Sequence, residues 1–415
     1  MTQPSVHFDS KEYSAAIKVI ETLRMHGHIA YLAGGCVRDL LLGVEPKDFD
    51  IATDARPEQI ESYFRKTASV GAAFGVMLVR DFGETIEVAT FRSDGVYSDT
   101  RRPDSIEFSS PAEDAKRRDF TINALFYDPF SPENDRVIDF VDGLDDMHNR
   151  ILRAVGVPMD RLAEDHLRAL RAVRFAAKYE LAIDERTKTA IREHASELSG
   201  VSIERIGEEV RKMLMHTSRV QACDLIDELG LDDAIFGDVR SFDSTVMESL
   251  ADEIEYPVAL SALAIGRGFS IGDDYQSIAT KYRTSLDLSN TDQVGMRTVL
   301  GCLDRLDQQW ECLTVAQKKR LASRSWSAQA LDIYHVIHKE SAQRIHEQIE
   351  QLTQEFGGLC PKPLISGADL IELGCKPGPE FKDILDAVYN QQLEGRVQSQ
   401  PQAIEFVQKQ VRSKK

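Results

Sequence analysis

Cysteine is scarce in this chain of 415 residues: Cys36, Cys223, Cys302, Cys312, Cys360 and Cys375 are widely scattered, with no CxxC pair and no Cys/His ligand spacing. That excludes a disulfide scaffold or a zinc ribbon, and the thiols are expected to be reduced and structural. Basic residues are in deficit, 50 Lys and Arg against 68 Asp and Glu, for a net charge of −18. Diffuse, non-specific affinity for nucleic acid is therefore not expected, because it rests on phosphate neutralisation by cations. Uninterrupted apolar runs of bilayer length are missing. The N-terminus MTQPSVHFDSKEY shows no basic region followed by an apolar run, so a cytoplasmic location is expected. Neither a repeat of fixed period nor a low-complexity tract is evident.

What is present is length enough for two to four units with sizeable cores. Positions 11–27 have an amphipathic helical pattern, with Ala15, Ile17, Val19, Ile20 and Leu23 on one side. Strand-like runs occupy 29–33, 76–79 and 85–91, and from about residue 150 onward the pattern is helical almost throughout. In 202–214, for example, Ser202 is placed to cap a helix whose Ile203, Ile206, Val210, Met213 and Leu214 share a side. The charged, turn-rich stretch 93–111 reads as a mobile loop. Gly357, Gly358, Pro361 and Pro363 mark a boundary before a final small helical unit in which Phe381, Ile384, Leu385 and Val388 form a stripe.

The richest segment is 31–53, YLAGGCVRDLLLGVEPKDFDIAT. A strand ends at Ala33 and a helix carrying Arg38 and Asp39 begins near Cys36, so Gly34 and Gly35 fall at the junction. Glycine there lets backbone approach a phosphate closely, and the helix start favours the anion. Asp48, Phe49, Asp50 and Ile51 open a second strand, where alternation sends both carboxylates to one face. Two hard oxygen ligands on one face suit a pair of Mg²⁺ ions. A lone GG or DxD is common in turns; it is their order that places a triphosphate cradle opposite a metal site.

Taken with RRDFTINAL at 117–125 and EDHLRALRAVRF at 164–175, these motifs resemble the class II tRNA nucleotidyltransferase and bacterial poly(A) polymerase superfamily, and most of all a bacterial CCA-adding enzyme without an HD domain; no HD dipeptide occurs. The resemblance implies an α/β, polymerase-beta-like catalytic head over 1–150, then a helical neck over 151–215 that binds base and RNA, a helical body over 216–358 and a tRNA-binding tail over 359–415. It implies template-independent addition of CCA to tRNA 3′ ends from CTP and ATP, by attack of the RNA 3′-hydroxyl on the nucleotide α-phosphate. Neither a membrane nor a protein partner is implied.

Asp48 and Asp50 are then the catalytic metal ligands. Relatives often use a third carboxylate, for which Glu87 and Asp119 are both candidates beside an ordinary structural role. Gly35, Arg38 and Arg118 are placed at the triphosphate; for Arg117 a surface salt bridge is preferred. Asn123 is assigned to the ribose by resemblance only. Asp165, Arg168 and Arg171 are three apart on an expected helix, which an i, i+3 ion pair would explain. Beside GG and DxD, base reading is the better assignment: an acceptor-only Asp and a donor-only Arg match the amino group and ring acceptor that cytosine and adenine share, and reject uracil and guanine. Arg174 is expected to have drifted to the far side of that helix in a supporting role. The local excess of Arg between Arg150 and Lys178 offsets the global acidity where nucleotide and RNA are needed.

Two rivals remain. Poly(A) polymerases of the group usually carry a basic signature where this chain has VGAAFGVMLV at 70–79, and that departure, with the tail segment ISGADLIELG, favours tRNA. An enzyme adding only the terminal A is the other; Arg101 and Arg102, in the loop that supports the switch to ATP in complete CCA-adding enzymes, imply that A addition is within reach.

Overall fold

The computed structural model describes residues 10–69, 75–94, 106–133, 136–355, 357–375, 377–378 and 380–413. Arg101 and Arg102 lie outside them, as do residues 70–74 of the VGAAFGVMLV segment. The chain divides into two compact units, Met1–Met213 with Leu225–Val239, and Leu214–Asp224 with Arg240–Lys415.

The first unit is built on a mixed sheet. Helix α1 (Lys11–Met25) starts at Ser10, whose side chain accepts from the Tyr13 amide, and buries Ala15, Ala16, Val19, Ile20 and Leu23. Strand β1 (Ala30–Ala33) leads through Gly34 into α2 (Gly35–Leu41), and β2 (Asp50–Thr53), α3 (Pro57–Tyr63), β3 (Thr67–Ser69), β4 (Val76–Val79) and β5 (Ile86–Thr90) follow. Strands β6 (Arg92–Asp94) and β7 (Ile106–Phe108) pair antiparallel as a separate ribbon, so the stretch expected to be a mobile loop is anchored at both ends. After α4 (Pro111–Lys116) come β8 (Phe126–Tyr127) and β9 (Val137–Ile138).

The seven-stranded sheet runs β3-β4-β5-β2-β1-β8-β9. Only β2 and β5 pair in parallel, in a register that sets Asp50 opposite Glu87. A core of Ala33, Ala52, Phe91, Ala115, Ala124, Phe126 and Val155 lies beneath the site, with Phe91 and Phe126 edge to face at 5.7 Å. Small residues at 33, 52, 115 and 124 let elements approach closely around those two rings, in the offset geometry aromatic pairs favour.

Helix α5 (Gly143–His148) follows β9, and the short parallel pair β10 (Ile151–Leu152) and β11 (Ala182–Ile183) interrupts the helical run expected from about residue 150. Helices α6 (Pro158–Glu164), α7 (Arg168–Tyr179), α8 (Glu185–Glu193) and α9 (Ile203–Leu214) complete the part that bears on the site. Helix α7 buries Ala169, Leu170, Ala172, Val173, Ala176 and Ala177, so its arginines are left to the other side.

The second unit is helical. Tyr256–Gly266, an apolar helix buried nearly all round, packs with Asn290–Gln308, where Gly295 has no room for a side chain because a Cβ would meet Pro257 Cγ at 2.6 Å. Toward the C-terminus, Ile365, Leu370, Val388, Val397, Ala403 and Val407 form a small core of their own, and Tyr389 donates to the Pro361 carbonyl at 2.9 Å.

Candidate active site

A cavity of about 750 Å³ opens in the first unit, lined among others by Gly34, Gly35, Arg38, Asp48, Asp50, Glu87, Arg118, Asp119, Asn123, Asp165, Arg168, Arg171 and Arg174. Every site residue expected from the sequence within the described residues lines it. They come from the Gly34 junction and α2, from β2 and the two residues before it, from β5, the RRD segment, and α7 with the joint before it, so only folding brings them together.

The carboxylates gather on one wall. Asp50 begins β2 rather than following Asp48 along it; Asp48 and Phe49 precede the strand. The alternation nevertheless holds, for Phe49 is buried while Asp48 and Asp50 line the cavity. Burial, then the nearby charge of Glu87, then that of Asp48, raise the Asp50 carboxyl to about 6 against the opposing pull of Arg118. Glu87 is raised too, by burial and then by Asp48. Three carboxylates thus line one wall, Asp48 and Glu87 exposed and Asp50 largely withdrawn from water, an all-oxygen donor set that a divalent cation fits.

Asp119 is in a different state. Arg171 donates to its Oδ2 through Nε at 2.9 Å and Nη2 at 2.6 Å, while the Phe120 amide and Asn123 Nδ2 occupy Oδ1. Burial alone would raise this carboxyl, but the charge and hydrogen bonds of Arg171, then Asn123 and Arg168, carry it down to about 2. One of its oxygens is held by Arg171 and the other by the Phe120 amide and Asn123.

At the strand-to-helix junction Gly34 has φ +72° and ψ −128°, a region open to glycine alone. A Cβ there would also lie 2.9 Å from Arg118 Nη1. Arg118 is held in place by Asp114 Oδ2, through Nε at 3.1 Å and Nη2 at 3.0 Å, and Arg117 pairs with the other oxygen of the same carboxylate at 2.7 Å. Arg38 is buried, with Nε and Nη2 on Asp39 Oδ1, Nη2 on the Tyr179 hydroxyl and Nη1 on Asn123 Oδ1 at 2.6 Å. Asn123 therefore links Arg38 to Asp119 with both ends of its amide.

The segment expected to read the base departs from the expected helix. Helix α6 ends at Glu164, Asp165 has extended backbone, and α7 begins only at Arg168. Asp165 and Arg168 are not an i, i+3 pair on one helix: Asp165 Oδ1 accepts from the Leu167 amide and Oδ2 from Arg205 of α9 at 2.8 Å, whereas Arg168 pairs with Glu164 at 2.6 Å. With Asp165 off the helix, the drift expected of Arg174 does not remove it from the site. Arg174 lines the same cavity, with Nε on Glu209 of α9 at 2.6 Å and its guanidinium 4.2 Å from the Phe175 ring centroid. Arg205 and Glu209 are one helical turn apart, so one face of α9 holds both ends of the segment.

Sequence reasoning did not find Asp39, Tyr179, Asp114, Arg205 or Glu209, each of which fixes an arginine or Asp165. Asp114 was open to it through its i, i+3 and i, i+4 spacing to Arg117 and Arg118; Tyr179, Arg205 and Glu209 reach their partners only across tertiary contacts.

Comparison with known proteins gives three matching families in succession: the poly A polymerase head domain over residues 30–153, the probable RNA and SrmB-binding site of polymerase A over 180–242, and tRNA nucleotidyltransferase domain 2 over 283–407. The chain is 33% identical to the CCA-adding enzyme of Bacillus licheniformis over 398 residues, covering 94% of this chain and 96% of that one. It is 45% identical over 205 residues to the CCA-adding enzyme of Lactiplantibacillus plantarum, a match spanning 49% of each chain. The crystal structure of the Bacillus stearothermophilus CCA-adding enzyme in complex with CTP superimposes with a TM-score of 0.77 at 28% identity, over 98% of this chain and 99% of that one.

Proposed function

The chain belongs to the family of CCA-adding enzymes, which are tRNA nucleotidyltransferases, and from that membership we propose how its residues divide the work of adding C, C and A to a tRNA 3′ end. The family uses divalent metal ions; Mg²⁺ is the ion proposed here, because the ligands offered are hard carboxylate oxygens. The observation that carries the reading is a wall of three carboxylates, Asp48, Asp50 and Glu87, with Asp50 raised to about 6, in the same cavity as Asp165 and Arg168.

In this reading Asp48 and Asp50 hold the metal, and Glu87 is the third carboxylate, because Asp119 is neutralised by Arg171. Metal bound there supplies Lewis acidity to the 3′-hydroxyl and α-phosphate and offsets the charge of the leaving pyrophosphate. Gly34 and Gly35 let the triphosphate approach backbone, and Arg118 faces it from the anchor of Asp114. Arg38 acts from behind: buried and held by Asp39, Tyr179 and Asn123, it adds positive potential and fixes Asn123 near the ribose. Asp165 accepts from the exocyclic amino group of cytosine or adenine, and Arg168 donates to the ring nitrogen next to it. The carboxylate of Asp165 has lone pairs beyond those used by Leu167 and Arg205, so α9 can aim it without blocking it. Selection is thus made by protein rather than by a template strand.

The cytoplasm is the proposed location; no helix among the described residues is long and apolar enough to cross a membrane. The four-part division into head, neck, body and tRNA-binding tail, and the part of Arg101 and Arg102 in A addition, belong to the same proposal.

The test is extension of three tRNA transcripts, ending before CCA, after C and after CC, with Mg²⁺ and each NTP singly or CTP and ATP together. All three should converge on one CCA end. Extension of the CC-ended transcript alone by a single A would overturn the reading in favour of an A-adding enzyme, and long A tails in favour of a poly(A) polymerase.

A further inference from the structure

A second cluster of ligand-type side chains lies at the α6–α7 joint, outside the lining of the catalytic cavity. His166 occupies that joint, immediately after Asp165; His194 caps the C-terminus of α8; Glu197 lies in the 3-10 helix Ala195–Gly200 that follows. None of the three lines the catalytic cavity. Among the described residues this is the one group of three or more His, Cys, Asp or Glu whose ligand atoms converge, all within 4.8 Å of one another.

The hydrogen-bond bookkeeping is incomplete in a particular way. His166 is 7% exposed, yet its Nδ1 is buried with no hydrogen-bond partner; Glu197 Oε2 stands 3.4 Å away, outside hydrogen-bonding geometry. His194 bonds the same Oε2 through Nδ1 at 2.6 Å; its Nε2 is buried and unpartnered too, but it is the other ring nitrogen and does not count toward the cluster, so the orphan that does is His166 Nδ1. A buried ring nitrogen without a partner is costly. Two imidazoles and one carboxylate with ligand atoms within 4.8 Å of one another are also a familiar three-ligand set for zinc, which leaves a fourth position to water.

We propose that His166, His194 and Glu197 form a zinc site, separate from the catalytic metal wall, that ties the α6–α7 joint to the end of α8. Ligand atoms around tetrahedral zinc stand ~3.3 Å apart, given metal–ligand bonds of about 2.0–2.2 Å. His166 Nδ1 and Glu197 Oε2 already meet that spacing. The His194–Glu197 contact must open as metal replaces the shared proton, and the Glu197 side chain, half exposed, has the freedom to do so and gives the ion its route in. At pH 7.5 ordinary imidazoles are mostly neutral and their lone pairs available. Zinc suits the two nitrogens better than Mg²⁺ does, whereas the all-oxygen wall prefers Mg²⁺.

The experiment uses the full chain, stripped with chelator, returned to millimolar Mg²⁺ to fill the carboxylate wall, and titrated with Zn²⁺ or with Co²⁺ as a coloured substitute. Wild type should retain one more zinc per chain after gel filtration than His194→Gln or Glu197→Gln. It should also show the visible absorption of tetrahedral Co²⁺ that both variants lack, and its melting temperature should rise by a few degrees with zinc while theirs does not. Glu197 is exposed enough that Glu197→Gln leaves the fold intact, and its metal-free melt serves as the check. Extension of a CC-ended transcript in Mg²⁺ should be unchanged in that variant, so failure of the zinc site and failure of the catalytic reading are told apart. Equal zinc content in wild type and both variants, or Co²⁺ bound without tetrahedral absorption, would overturn the site and leave a His–Glu–His hydrogen-bonded cluster.

Discussion

Removing a carboxylate of the proposed metal wall should make the metal-free enzyme more stable, and Asp50→Asn is where this is largest. The Asp50 carboxyl is lifted from 3.8 to about 6, roughly two pH units, and at about 1.4 kcal/mol per unit its ionisation costs the metal-free fold up to ~3 kcal/mol. Partial solvent access and the desolvation of the new amide reduce the gain, so ~1–3 kcal/mol is expected. Because the folded value lies above the unfolded one, the penalty grows as pH rises from 3.8 through 6 and is complete above 6. The gain should therefore be full at pH 7.5 and fall below about 1 kcal/mol near pH 4.5. Both tryptophans, Trp310 and Trp326, lie in the second unit, so their fluorescence is the wrong probe. Hydrogen exchange of the β2 and β5 amides in EDTA reports the head directly. Millimolar Mg²⁺ should reverse the order, stabilising wild type and not the variant, while transfer activity is abolished in Asp50→Asn. An Asp50→Asn head that exchanges as fast as wild type at pH 7.5, or a gain that persists unchanged at pH 4.5, would refute the account of crowded, uncompensated charge.

The two candidate third carboxylates should separate cleanly. Glu87→Gln is expected to raise the Mg²⁺ concentration needed for half-maximal transfer, and an unchanged Mg²⁺ dependence would remove Glu87 from the site. Asp119→Asn should leave that dependence alone but destabilise the head by ~1–3 kcal/mol, less than a fully buried pair because the Arg171 side chain is 34% exposed. Since Asp119 is lowered to about 2, its contribution is present above pH 3.8 and is lost as pH falls through 2, which acid titration of wild type against the variant measures. Asp165→Ala should erode discrimination of CTP over UTP by about 1–3 kcal/mol in kcat/KM, and unchanged selectivity would sink base reading by that edge. Gly34→Ala should cost ~1–3 kcal/mol in chemical denaturation and lower kcat by displacing Arg118; a variant of wild-type stability and rate would show that the junction tolerates a side chain.

The local rules carried far in this sequence because their causes are local. Alternation along 48–51 turns Phe49 inward and two carboxylates outward whichever residue begins the strand. Glycine at 34 answers to a backbone angle that other residues resist. The helical ladder of 165, 168 and 171 failed for an equally physical reason: Asp165 bonds the Leu167 amide two residues ahead and ends one helix before the next begins, a competition between side chain and backbone that periodicity does not register. The stretch 93–111 read as a loop because its two three-residue strands are too short to show a period.

The sequence by itself determined which residues are proposed to react: GG before a helix, DxD running into a strand, RRD and EDxxR, in an order that suggests phosphate, metal and base for different segments. Tertiary structure alone decided what state each group is in. The parallel pairing of β2 with β5 puts Glu87 opposite Asp50, which is why it is proposed as the third carboxylate; Arg171 reaches across 52 positions to neutralise Asp119; Arg205 and Glu209 hold Asp165 and Arg174 from α9. A carboxylate becomes a metal ligand or a salt-bridge partner according to the charge nearest to it, and in a folded chain that neighbour is set by topology, not by sequence distance.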